Sequence, residues 1–157
     1  MLSLRERSLK ELQEIRSELL VTAERISPQE FDWLPRPGMK SAKSLLKEIG
    51  TMEQMHVLFL SHGEVSDWDN AVNWSGEDLG SILEDLKSIR DITQEFLQRC
   101  TERRFETLRP VPGVWQQWWG KEASPEAMIS WVMRHEYYHL GQLIYNRWLL
   151  GYNPYES

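Results

Sequence analysis

The sequence has one cysteine, no long apolar run and no excess of basic residues, and each lack excludes a class of protein. Cys100 alone cannot form an intrachain disulfide framework. No apolar run approaches the roughly 20 residues of a transmembrane helix, and the charged N-terminus resembles no signal peptide. The 18 basic residues are outnumbered by 24 acidic ones and form no cluster suited to a phosphate backbone. These features predict a soluble, cytoplasmic protein that binds neither nucleic acid nor membrane.

The sequence instead shows helical periodicity, with apolar residues recurring on one face of long segments. Four helices are predicted, over about 3–26, about 41–62, from Ser75 past Phe96, and from Ser124 to Gly151. Ser27 before Pro28, with Glu30 three positions on, predicts a short helical turn after the first helix. Ser75 with Asp78 three residues on gives a weak capping box at the start of the third.

Four amphipathic helices of this length bury their apolar faces by packing into a bundle. Strand alternation is hard to find anywhere in the sequence. The prediction is therefore an all-α four-helix bundle with long loops, which spans residues 1–157 as a single domain. The connection over about 101–123 is long for a compact bundle, so it is expected to be functional or packed on itself.

A histidine pair is the most informative feature of the fourth predicted helix. His135 and His139 lie one turn apart on one face, so both rings can reach a single metal ion. The alternative is two core or interface histidines with ordinary hydrogen bonds, but two desolvated imidazoles on one stripe favour a metal. The predicted inward stripe comprises Met128, Val132, His135, His139, Gln142 and Leu149.

The segment HEYYH also matches H-E-x-x-H, the zinc-protease helix in which the glutamate, here Glu136, is the general base. A zinc protease needs a third ligand further along the chain. After His139 the sequence contains no histidine, and its one carboxylate side chain is Glu156. We therefore interpret the protease match as coincidental.

The second predicted helix could supply a third ligand, since catalytic sites usually have three. It offers Glu48, Glu53, His56 and His62. Glu48 lies at the margin of the apolar stripe, where a carboxylate is costly to bury without a cation. The alternative for Glu48 is a boundary residue that reaches solvent. His56 lies on the stripe about two turns further on, and periodicity alone does not rank Glu48 above it.

Three segments resemble the DinB/YfiT-like superfamily of small four-helix-bundle metalloenzymes, in the family's order and over nearly the whole length. They are DWLPRPGMKS, SLLKEIGTMEQM and HEYYHLGQL. The resemblance implies that His135 and His139 are metal ligands. The family's second-helix histidine falls on Glu48 here, with His56 as the substitute ligand if Glu48 points away. A set of two histidines and one carboxylate leaves the divalent ion open among Zn, Ni, Fe and Mn.

The resemblance also implies the chemistry. A metal-dependent enzyme would act on a small molecule, either as a transferase that delivers a low-molecular-weight thiol or as a hydrolase. Glu136 and Gln142 are the candidates for orienting a ligand or accepting a proton. Their alternatives are a solvated helix residue and a packing polar group. Cys100 has no histidine nearby in sequence, so the thiol would arrive as a cosubstrate. The other function class is a non-catalytic dimeric binding module with a degenerate metal site.

The loop PVPGVWQQWWGKEA holds three of the eight tryptophans, Trp115, Trp118 and Trp119. They could plug the end of the bundle or form a subunit interface, where tryptophan is favoured. They could equally form an aromatic lid over the metal that recognises an apolar substrate. An exposed indole cluster is unusual in a monomer, so a homodimer is predicted.

Overall fold

The structure is a computed structural model that describes residues 1–156, and within them four long helices form a bundle. The elements in chain order are α1 (Leu4–Ala23), α2 (Pro28–Phe31), α3 (Ala42–His62), α4 (Leu79–Arg99), α5 (Glu102–Glu106), β1 (Arg109–Pro110), a 3-10 turn (Gly113–Trp115), α6 (Gln116–Trp119), β2 (Glu122–Ala123) and α7 (Pro125–Leu149). The predicted all-α fold is confirmed. Within residues 1–156 two short strands pair, antiparallel and with Arg109 opposite Ala123, which closes the long connection before α7.

Side-chain caps fix where helices begin. Ser27 and Glu30 form a reciprocal capping box at α2, with Pro28 in its first turn, so the predicted short turn is confirmed. At the start of α7, Ser124 Oγ accepts a hydrogen bond from the backbone N–H of Ala127 at 3.1 Å. These caps satisfy backbone donors that a helix N-terminus otherwise leaves unpaired.

The third long helix begins later than predicted. Asp78 is the N-cap of α4, and its carboxylate accepts the N–H of Ser81 at 3.0 Å. Ser75 lies outside the helix and donates both its N–H and its hydroxyl to Asp85. The expected start at Ser75 is wrong because aspartate caps as well as serine and here directly precedes the apolar stripe.

Two further features, both at helix ends, differ from what the periodicity predicts. Helix α1 ends at Ala23, three residues before the predicted end, and the chain turns so that Ile26 is still buried. Leu149 was predicted to face inward, but its side chain is 53% exposed at the last turn of α7. Helix ends fray and extend past the core they pack on, so periodicity predicts them poorly.

The core consists of two apolar clusters with a charged layer between them. One cluster includes Leu12, Met55, Phe96 and Met133, and the other includes Leu19, Ile49, Leu86 and Leu140. Each long helix contributes one buried charged residue between its members of the two clusters, namely Arg16, Glu53, Arg90 and Glu136. None of the helices described combines the length and apolar character that crossing a bilayer requires.

The four charged residues neutralise one another. Arg16 donates to Glu136 at 2.7 Å and to Glu53 at 2.9 Å, and Arg90 pairs with the same two carboxylates. The hydroxyl of Thr93 adds a bond to Glu53 at 2.7 Å. Burial alone would raise the pKa of Glu53, but the charges of Arg90 and Arg16 outweigh it and lower that pKa to about 2. We call these five residues the buried charge network.

Candidate metal centre

Helices α3 and α7 pack against each other, and their polar contacts join the start of α3 to the second half of α7. The side-chain amide of Asn146, late in α7, donates to the carbonyl of Lys40, just before α3, at 3.1 Å. This packing brings Glu48 next to the histidine pair. Glu48, His135 and His139 each offer one ligand atom, and the three atoms lie within 4.8 Å of one another.

The contacts within this set converge on one nitrogen. Nε2 of His139 lies 3.0 Å from Nε2 of His135 and 3.2 Å from Oε2 of Glu48. Imidazole nitrogens and a carboxylate oxygen are common ligands of divalent transition metals. The chemistry of the donor set therefore fits a divalent ion, and the three residues that the sequence resemblance singled out are the three that the structure brings together. We call them the ligand triad.

Gln142 orients His139. Its Oε1 lies 2.6 Å from Nδ1 of His139, and because an amide oxygen only accepts, Nδ1 carries the hydrogen. Nε2 of the neutral ring then carries a lone pair, which is directed at His135 and Glu48. The amide nitrogen of Gln142 donates in turn to the hydroxyl of Tyr138 at 3.1 Å, which fixes the orientation of the amide. Such outer hydrogen bonds set the tautomer and ring angle of metal-binding histidines.

Both imidazoles are held in the neutral form. Burial and, to a smaller extent, the nearby His139, His56 and Lys40 together lower the pKa of His135 to about 4. Burial also lowers the pKa of His139, against the opposing effects of Gln142 and Glu48. Metal ligation requires neutral imidazole, so these environments keep the ligating form populated at neutral pH.

Lys40 is a charged residue of the site that sequence reasoning missed. Its ammonium pairs with Oε1 of Glu48, while Oε2 of Glu48 faces His139. The side chain of Lys40 is 49% exposed and that of Glu48 is 19% exposed, so the pair lies at the mouth of the site. No sequence signal separates this lysine from other surface lysines, because its place depends on how the loop before α3 turns.

A comparison with known protein families identifies the family of this chain. The family model described as DinB superfamily matches residues 11–143. The chain belongs to the DinB superfamily. The family resemblance carried by the three motifs is thereby confirmed.

This DinB-superfamily chain is similar to proteins from Bacillus subtilis and Enterococcus faecalis. Uncharacterized protein YjoA of Bacillus subtilis (strain 168) is 24% identical over 121 residues, which cover 77% of this chain and 74% of that protein. The crystal structure of the DinB-like protein YjoA matches with a TM-score of 0.73 at 20% identity, covering 93% of both chains. A conserved protein from Enterococcus faecalis also gives 0.73, at 15% identity, over 96% of this chain and 99% of that one. At these identities the structures show a shared fold.

Glu136 has different partners from those expected of a ligand-orienting residue. Its two carboxylate oxygens pair with Arg16 and Arg90 in the buried charge network. Adjacent helix residues point about 100° apart, which is why His135 faces the ligand triad and its neighbour Glu136 faces the network. The general-base position of H-E-x-x-H is thus occupied by a carboxylate held in a salt bridge, whereas Gln142 does contact a triad histidine.

The remaining candidates from the second predicted helix lie outside the triad. Glu53 belongs to the buried charge network, and His62 is exposed at the end of α3. His56, the proposed substitute ligand, hydrogen-bonds through Nδ1 to the Met52 carbonyl at 2.8 Å. Its ring lies 5.3 Å from the ring of Trp115. The structure therefore places His56 among the tryptophans, about two helical turns from Glu48.

An aromatic cavity of about 650 Å³ adjoins the ligand triad. Five tryptophans line it, namely Trp68, Trp115, Trp118, Trp119 and Trp131. The ring of Trp131 lies 6.2 Å from that of His135, so this indole belongs to both the cavity and the surroundings of the triad. Trp115 is buried while Trp118 is 69% exposed, so the long connection before α7 contributes to both the floor and the rim.

Proposed function

We propose that this chain is a metal-dependent enzyme acting on a small molecule, with Glu48, His135 and His139 as the metal ligands. The observation that carries the proposal is the convergence of two imidazole nitrogens and one carboxylate oxygen, three atoms that can all ligate a metal. A hydrogen on Nε2 of His135 would satisfy its contact with His139, whereas a cation bound between the three atoms would satisfy all of them at once. His139 is buried while Glu48 and His135 are partly buried, and a desolvated acceptor is costly to leave unpaired, so the arrangement favours a bound ion.

Three protein ligands leave a coordination position for water or substrate, and a bound divalent ion would supply Lewis acidity there. The protein's own part is positional. Gln142 and Tyr138 fix the ring of His139, and Lys40 places a positive charge beside Glu48 at the mouth. The neighbouring indoles exclude water from one side and offer an apolar surface for the substrate.

The reaction we propose is transfer of a low-molecular-weight thiol to a small electrophile, with hydrolysis as the second candidate. Cys100 does not supply the thiol, because it is buried and burial raises its pKa above the usual range. The thiol would therefore be a cosubstrate. Glu136 does not supply the base, since Arg16 and Arg90 hold its carboxylate.

Metal content is the first test. Tag-free protein dialysed without chelator is expected to carry about one equivalent of Zn, Ni, Fe or Mn by mass spectrometry, and His139→Ala is expected to carry none. His62→Ala is the matched control, because His62 is exposed at the end of α3. If His139→Ala retains the wild-type metal content, the assigned ligand set is wrong.

The reaction class needs a second assay. Protein loaded with its native metal would be given a low-molecular-weight thiol with a chromogenic electrophile, and separately a chromogenic ester. If the wild type consumes the thiol and Glu48→Gln does not, the chain is a transferase. If the wild type cleaves the ester and Glu48→Gln does not, it is a hydrolase.

A dimeric, non-catalytic binding module is the other candidate function. The exposed indoles of Trp68, Trp118 and Trp131 favour it, since large exposed aromatic groups are typical of interaction surfaces. Sedimentation of the wild type and of Trp118→Ala tests it. The module predicts a dimer that Trp118→Ala weakens, together with no metal-dependent turnover in either assay above.

A further inference from the structure

His56 carries a buried nitrogen that nothing in the bundle uses. The residue is 5% exposed, and its Nε2 has no hydrogen-bond partner among residues 1–156. Its Nδ1 lies 2.8 Å from the carbonyl oxygen of Met52, which only accepts, so Nδ1 holds the hydrogen. In the neutral ring Nε2 is then a buried acceptor, and an unpaired buried acceptor destabilises the fold unless something donates to it.

The surroundings of His56 are aromatic. The rings of Trp115 and Trp119 lie 5.3 and 5.5 Å from its own, at interplanar angles of 31° and 70°. The same residues line the cavity of about 650 Å³, whose rim includes the exposed indole of Trp118. This volume is within the range of about 300–1,000 Å³ found for small-molecule sites.

Polar groups in the cavity lining are few. Arg134 packs its guanidinium over the ring of Trp131 and donates to the Ser130 carbonyl, so it lies along the wall. Gln117 lies on the exposed side of the connection before α7. His56 is thus the deep polar group of a cavity whose other walls are mostly indole and thioether. A ligand for this space is flat and apolar, with one polar end.

We propose that the aromatic cavity binds a planar aromatic molecule carrying one hydrogen-bond donor, and that Nε2 of His56 accepts that donor. Indole rings favour a flat aromatic partner by stacking and edge-to-face contacts. An apolar molecule without a donor would leave Nε2 unpaired, so its affinity is lower by at least about tenfold. Binding in this cavity needs no metal. Only the further step, that the bound molecule is a substrate for a metal held by the ligand triad, rests on the proposed function.

The test uses the full chain in chelator and the probes 2-naphthol and 2-methoxynaphthalene, which differ in the donor. Equilibrium dialysis is expected to give at least about tenfold tighter binding of the naphthol. In His56→Phe this preference falls to within about twofold, because the ring volume is kept and the acceptor is lost. In Trp118→Ala both probes bind at least about threefold more weakly, while Trp148→Ala, which removes an indole outside the cavity lining, changes neither. Equal affinity of the two probes for wild type overturns the role of His56, and no binding of either overturns the cavity as a site.

A second measurement avoids dependence on a folded His56 variant. In wild-type protein labelled with ¹⁵N-histidine, 2-naphthol is expected to move the Nε2 resonance of His56 upfield, as an imidazole nitrogen does when it accepts a hydrogen bond. An unmoved resonance under saturating naphthol contradicts the proposal. Because Glu48→Gln is expected to bind both probes like wild type, loss of the metal centre and loss of the aromatic site give separate results.

Discussion

Two polar sites share helices α3 and α7, and they differ in how completely their groups are paired. In the buried charge network, the carboxylates of Glu53 and Glu136 are each held by two arginines. In the ligand triad, Glu48 and two histidines direct a carboxylate oxygen and two imidazole nitrogens at one another, and the cation beside them is the half-exposed Lys40. The sites also differ in burial, because the four charged side chains of the network come from all four long helices and are at most 8% exposed, whereas that of Glu48 is 19% exposed.

The difference in pairing indicates what each site does. Charges that are fully matched inside a protein hold elements in one arrangement and need no ligand. Acceptors that face acceptors need a cation from outside. The neighbours His135 and Glu136 show the contrast within two residues, since one belongs to the unmatched set and the other to the matched one. Variants in the two sites should therefore separate stability from metal binding.

The largest expected effect is loss of stability in Glu53→Gln. Two arginines would then share one carboxylate in the core, and removing one partner of a buried ion pair costs about 3–5 kcal/mol. Urea unfolding measures the change. The control is Glu95→Gln, whose exposed pair with Arg99 is expected to contribute less than about 1 kcal/mol. A loss below about 1 kcal/mol in Glu53→Gln would show that the network is not matched in solution.

The next effect lies in the ligand triad. Gln142→Ala removes the acceptor of His139 Nδ1–H, and loss of such an outer partner typically weakens metal binding about 10–100-fold. Calorimetric titration measures the affinity, while the unfolding free energy in chelator is expected to change little. Tyr138→Phe removes only the group that fixes the Gln142 amide, so it should fall between wild type and Gln142→Ala. An unchanged affinity in Gln142→Ala would mean that His139 needs no orienting partner.

The pH dependence of stability should also separate the two regions. His135 has its pKa lowered from 6.5 to about 4 in the fold, so the unfolded state binds more protons and stability is lost as pH falls from about 6.5 to 4. The pKa of Glu53 is lowered from 4.5 to about 2, so its contribution to stability is fully present above pH 4.5 and is lost as pH falls from about 4.5 to 2. Each group changes the slope of the unfolding free energy against pH by at most about 1.4 kcal/mol per pH unit.

Unfolding in chelator across pH 2–8 checks these two ranges. His135→Asn is expected to reduce the pH dependence of the unfolding free energy between about pH 6.5 and 4, and Glu53→Gln to reduce it between about pH 4.5 and 2. A single transition that neither substitution alters would contradict the assignment of the two ranges to these residues.

The fold and the ligand triad could be predicted because both leave a local or family pattern. Apolar spacing predicts the long helices, and the segments around Glu48 and HEYYH carry the DinB resemblance. The buried charge network leaves only a weak pattern. Arg16 follows Leu12 by four residues and Arg90 follows Leu86 by four, so each lies on an apolar stripe, but their partners come from other helices. Pairing across four helices depends on packing, which the sequence of one helix does not contain.

Lys40, at the mouth of the metal centre, is harder still to predict from the sequence. Its substitution is expected to have the smallest of the effects considered. Its half-exposed pair with Glu48 contributes little to stability, since water screens such pairs. Its charge would nevertheless oppose a divalent ion bound by the same carboxylate, and at a few ångströms in a solvated site this repulsion is on the order of 1 kcal/mol. Lys40→Met is therefore expected to bind metal about fivefold more tightly. Lys47→Met is the control, because Lys47 pairs with Glu77 outside the triad. If Lys40→Met binds metal more weakly, Lys40 positions Glu48 for ligation, and the unmatched triad is held in place by its one cationic neighbour.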